Sequence, residues 1–82
     1  MDKSVVYEKV KELIISEFEL DAGSIGPDKR LSDDLRLDSL DMVEFIHRLN
    51  DYIGVKIEPT MFKYALTVQD LVNSIYPFWK QA

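Results

Sequence analysis

Apolar residues recur at helical spacing in three stretches of this chain, with glycine and proline between them, and that pattern restricts it to a small helical fold. From about Lys3 to Glu19, Val6, Val10, Leu13, Ile14 and Phe18 share one side of a helix, with Lys9, Lys11, Glu12 and Ser16 elsewhere on the wheel. Asp21 to Leu37 contains Gly23, Gly26 and Pro27, which stop that helix, yet Ile25, Leu31, Leu35 and Leu37 supply apolar anchors. The segment reads as a long loop pinned to the core, and long loops in small domains tend to be functional. A second helix is expected from Asp38 or Ser39 to about Ile53, with Gly54 as its stop.

Val55 to Pro59 then forms a short extended connection, and Thr60 to Ala65 makes one or two turns of a short third helix. Thr67 caps the last helix with Asp70 at the capping-box position, Val68, Leu71, Val72 and Ile75 form its buried stripe, and Pro77 ends it. Phe78 and Trp79 lie beyond that stop, where packing back onto the core is expected over an exposed contact patch. The expected fold class is all-α: one domain over residues 1–82, a four-helix bundle with a long loop between helices 1 and 2 and a short third helix.

At 82 residues, such a domain buries only about 60% of the surface its unfolded chain exposes, so a deep active-site cavity would compete with the core. The absence of cysteine excludes disulfides and thiolate metal sites. No apolar run exceeds three residues, as at Leu13–Ile15, so neither a membrane-spanning helix nor a signal peptide is expected. A cytoplasmic monomer is the default. A formal charge of −5 argues against nucleic acid as a partner.

The acids are concentrated around one serine. Asp33, Asp34, Asp38, Asp41 and Glu44 surround Ser39, opposed in that stretch by Arg36, so the local field favours partners carrying Lys and Arg patches. Asp38 is a good N-cap for the second helix and Asp41 completes a variant of the capping box, so stability accounts for those two. It does not account for Glu44 or for the serine. An attacking serine needs a base within hydrogen-bond reach, whereas His47 lies eight residues along the same helix, about 12 Å away. Ser39 therefore reads as an attachment point. With no Gly-x-Ser-x-Gly elbow and no metal-ligand spacing around His47, a conventional enzyme is not expected.

The second helix also carries two apolar faces. Met42, Phe45, Ile46, Leu49, Tyr52 and Ile53 fall on the core arc, while Leu40 and Val43 share the opposite side with Glu44, His47 and Asp51. A short apolar ridge among charges, beginning one residue after Ser39, suggests a docking surface.

Leu35-Arg36-Leu37-Asp38-Ser39-Leu40-Asp41-Met42-Val43-Glu44-Phe45 resembles the prosthetic-group site of the acyl carrier proteins, and the order of helices and loop resembles that family over nearly the whole chain. The resemblance implies that a phosphopantetheinyl transferase uses coenzyme A to attach phosphopantetheine to Ser39, and that the arm's thiol holds acyl groups as thioesters. It implies that Asp38, Leu40 and Asp41 present the serine. It further implies that Leu40, Val43, Glu44 and His47 meet acyl-transferring, condensing and other biosynthetic enzymes, and that Phe45, Ile46 and Leu49 line space for an acyl chain. The expected cargo is an acyl intermediate of a fatty-acid or specialised polyketide-type pathway. An aminoacyl carrier and an unmodified helical adaptor are the alternatives.

Four positions depart from the family's pattern. Arg36 stands where many members have glycine, His47 and Arg48 occupy positions that are usually apolar, small or acidic, and Asn50 further reduces acidity. The Phe78-Trp79 tail is not part of the motif. These departures lean toward a carrier dedicated to one specialised pathway.

Overall fold

The computed structural model describes residues 2–58, 60 and 65–81, with side chains as far as Trp79. Three α-helices run in order through these residues: α1 (Lys3–Phe18), α2 (Ser39–Ile53) and α3 (Val68–Gln81), with a 3-10 turn at Ala22–Ser24 between the first two. Among the described residues the chain is all-α, and its nearest approach to β structure is an isolated bridge between Arg30 and Thr67. The turns expected over Thr60–Ala65 fall on Met61 to Tyr64, which lie outside the described residues.

Val6, Val10 and Ile14 form a fully buried stripe on α1, facing a matching stripe of Val68, Leu71, Val72 and Ile75 on α3. Phe45, Ile46 and Leu49 of α2 close the same core, where the Phe45 ring lies 6.3 Å from that of Phe18. All four loop anchors, Ile25, Leu31, Leu35 and Leu37, are buried. The long connection is therefore part of the core wall, which explains how so many irregular residues remain ordered.

α1 stops where Glu19 turns left-handed at φ 54°, and α2 stops at Gly54 with φ 72°, a conformation glycine adopts without a steric penalty. Beyond Gly54 the chain is held by Asn50, whose side-chain amide donates to the Ile57 carbonyl at 3.0 Å and whose oxygen accepts from the Ile57 N–H at 2.9 Å. That latch drives Ile57 into the core. Asn50 is thus a structural residue, beyond any effect on surface charge.

Two expectations are corrected. Pro77 does not end the last helix, since α3 continues through it to Gln81 and carries Phe78 and Trp79 as helical residues. Proline inside a helix costs about 3 kcal/mol. Here, however, Pro77 lies on the exposed side below Asn73, whose carbonyl loses its donor where water can replace it. Continuing the stripe from Ile75 to Trp79 buries a large indole in return. Tyr52, assigned to the core arc, is instead 58% exposed. It sits at the edge of that arc and packs edge-on against Trp79, with ring centroids 5.8 Å apart.

Candidate functional site: the mouth of helix α2

Alternation prepares the approach to α2. Leu35 and Leu37 are buried while Asp34, Arg36 and Asp38 between and beside them are exposed, so the chain leaves the core surface with Ser39 outward. Backbone bonds fix this path. The Leu35 N–H donates to the Arg30 carbonyl, the Leu37 N–H to the Leu31 carbonyl at 2.9 Å, and the Leu31 N–H to the Leu66 carbonyl at 2.9 Å. A serine mounted on such a braced loop has a defined position without being enclosed.

Asp38 is the N-cap of α2 in extended conformation, and Ser39 is the first helical residue. The Asp41 N–H donates to Asp38 Oδ1 at 2.8 Å, and the Asp38 N–H donates to Asp41 Oδ2 at 3.1 Å, so the reciprocal box is formed. The two carboxylates thus fix the backbone on either side of Ser39. Ser39 is exposed, and no side-chain hydrogen bond among the described residues engages its hydroxyl. His47 stands two turns further on, exposed and on the outer side.

One wall of a surface cleft of about 760 Å³ is formed by Asp38, Ser39, Met42 and Val43. Its other lining includes Arg30, Leu31, Asp33, Leu37, Ala65 and Leu66, which makes it apolar at the base and charged at the rim. This suits a flexible, partly apolar appendage on Ser39. A phosphopantetheine group therefore fits the residues present: an accessible hydroxyl, a capped helix start and an adjoining apolar trough.

The remaining predicted residues occupy two separate settings. Leu40 is 73% exposed, and Val43, Glu44 and His47 are exposed along the same outer side of α2. Phe45, Ile46 and Leu49 are in the sealed core and none of them lines the cleft. Arg48, which the sequence places among these charges, points its Nε at Glu17 of α1, 3.5 Å away. Its cation is directed along the bundle and not over the ridge.

Sequence reasoning missed Arg30 and Leu66 as cleft residues. Leu66 is 60% exposed beside a buried neighbour, Val68, and its position opposite Ser39 comes from the Leu31–Leu66 backbone bond. It also missed the backbone of Arg36, which is left-handed at φ 60°. The signal was present in the glycine that many related sites carry there.

Comparison with known proteins places this geometry. The family model described as a phosphopantetheine attachment site matches residues 8–75. An acyl carrier protein of Solidesulfovibrio magneticus is 39% identical over 70 residues, covering 85% of this chain and 90% of that protein. One from Lactobacillus acidophilus is 37% identical over 75 residues, covering 92% and 94%, and one from Onion yellows phytoplasma is 38% identical over 68 residues, covering 83% and 90%. With a matched segment that spans both capping boxes and the exposed serine, the chain belongs to the acyl carrier protein family.

Proposed function

We propose that this protein is an acyl carrier whose phosphopantetheine is attached at Ser39. The single observation that carries the assignment is an exposed serine, with no side-chain partner among the described residues, at the first position of a box-capped helix inside the matched segment. Attachment forms a bond from Ser39 Oγ to phosphorus and breaks the pyrophosphate of coenzyme A. Adenosine bisphosphate leaves, and the hydroxyl proton passes to the transferase. When bound, the group supplies a thiol that holds acyl chains as thioesters.

The chain's own residues then have distinct tasks. Asp38 and Asp41 fix the backbone on either side of Ser39, while Leu40, Val43, Glu44 and His47 offer a small docking face to biosynthetic enzymes. A small charged face suits brief encounters, because steering raises the on-rate without slowing release. Tethering raises the local concentration of cargo at each docked enzyme. Met42 and Val43 line the trough next to the serine, and Phe45, Ile46 and Leu49 are the interior residues available to shelter an apolar chain once the helices part.

On this reading residues 1–82 form one cytoplasmic, monomeric domain of the four-helix-bundle class expected from the sequence. It is a carrier and not a catalyst. Incubation with coenzyme A and a broad-specificity transferase is expected to add one phosphopantetheine mass to the intact protein, and Ser39→Ala to abolish the gain. An unmodified wild-type chain would overturn the assignment in favour of a protein-binding adaptor.

A further inference from the structure

Arg36 is a cation in a backbone state that an arginine adopts at a penalty. Its φ of 60° is one that glycine reaches freely. An observed outlier of this kind justifies asking what the side chain does there. Its surroundings sharpen the question. Asp33, Asp34, Asp38 and Asp41 all lie within five residues, yet neither ion pair among the described residues includes Arg36.

Each of those acids is already engaged. Asp33 pairs with Arg30 at 3.6 Å, Asp34 accepts the Arg30 N–H at 2.7 Å, and Asp38 and Asp41 accept each other's backbone N–H. Arg36 is exposed and takes part in neither ion pair among the described residues. Ser39 lies three residues away, at most about 10 Å between Cα atoms, within reach of an extended arginine.

Resting on the reading of Ser39 as the attachment point, we infer that Arg36 holds the phosphodiester formed there. That diester adds a negative charge beside Asp38 and Asp41, where like charges repel it. The planar fork of a guanidinium matches phosphate oxygens and offsets the added charge. A glycine at this position relieves the backbone and offers nothing to the phosphate. Arg36 is thus a positioning residue for the base of the arm, and it limits the directions in which the arm leaves the helix.

The test compares melting temperatures of the unmodified and modified full-length chain for wild type, Arg36→Gly and Arg36→Lys, together with the phosphorus NMR signal of the modified forms. At low salt, modification is expected to lower the melting temperature of Arg36→Gly by about 3 °C more than that of wild type. Arg36→Lys is expected to recover part of the difference, and high salt to erase it. The phosphorus resonance of Arg36→Gly is expected to shift and sharpen as the diester gains freedom. Equal modification-linked shifts in wild type and Arg36→Gly, with unchanged phosphorus signals, would overturn this inference alone. A difference that persists in high salt would mark packing and overturn it as well. Absence of any mass gain on the wild-type chain would overturn both this inference and the Ser39 assignment.

Discussion

At the start of α2, Asp38 and Asp41 exchange backbone hydrogen bonds, and the residue that follows the cap is an exposed serine. At the start of α3, the Asp70 N–H donates to Thr67 Oγ1 at 3.1 Å, the Thr67 N–H donates back to Asp70 Oδ2 at 3.1 Å, and the residue that follows the cap is the fully buried Val68. The local chemistry is nearly the same and the outcome is opposite. At α3 the next two N–H groups donate to the carbonyls of Lys29 and Pro27, so the loop clamps the helix start. At α2 no backbone carbonyl among the described residues accepts from Ser39 or Leu40. A capping box thus specifies where a helix begins, and the surrounding packing decides whether that beginning is a foundation or a site.

The strongest way to break the comparison is to exchange the residues behind the two caps. Val68→Ser removes a buried side chain and leaves a hydroxyl in the core, an expected loss of about 3 kcal/mol measured by urea unfolding. In a domain of this size that is a large share of an overall stability of about 4–12 kcal/mol. Ser39→Val is expected to change stability by no more than about 0.5 kcal/mol while abolishing modification. Comparable losses at the two positions would mean that the α2 start is as structural as the α3 start.

Removing the caps themselves gives a smaller effect and sharpens the contrast. Thr67→Ala and Asp38→Ala are each expected to cost about 1 kcal/mol. Only Asp38→Ala is expected to slow modification as well, read as a lower rate of mass gain at equal protein concentration. Acid probes the α3 box. Asp70 also accepts the Leu66 N–H at 3.0 Å, and these backbone bonds hold its carboxyl below its ordinary value of 3.8. A lowered folded-state value means that its contribution is present above the unfolded value and fades as pH falls through the folded one. Asp70→Asn is therefore expected to flatten the acid limb of the stability curve below pH 3.8, measured as melting temperature against pH.

Much of this arrangement was legible beforehand because it depends on short-range rules. The start and stop of α2, both capping boxes and the four loop anchors follow from caps, glycine and apolar spacing within a few residues. What escaped depends on partners distant in sequence. Helix propensity stops α3 at Pro77, but the pocket that receives Trp79 carries the helix onward. Nothing near Asn50 announces that its amide will grip Ile57, and nothing near Leu66 announces that it faces Ser39 across a cleft. The place of Ser39 at a capped helix start was legible because its surroundings are local, and the cleft beside it was not because its walls come from three segments.

The smallest expected effect concerns the backbone that leads into each helix. Among the described residues, left-handed φ values occur at Glu19, Arg36 and Gly54, so the approach to α2 contains one and residues 65–67 before α3 contain none. A left-handed non-glycine residue costs roughly 1–2 kcal/mol, and glycine returns about 0.5–1 kcal/mol of that through the greater freedom it adds to the unfolded chain. Arg36→Gly is therefore expected to stabilise the unmodified protein by about 0.5 kcal/mol, a rise of roughly 2–4 °C in melting temperature. Ala65→Gly, two residues before the Thr67 cap as Arg36 is two before Asp38 and free of such strain, should destabilise. If Arg36→Gly also destabilises the unmodified chain, the arginine side chain must be holding the fold together, and the difference between a strained approach at α2 and a relaxed one at α3 would disappear.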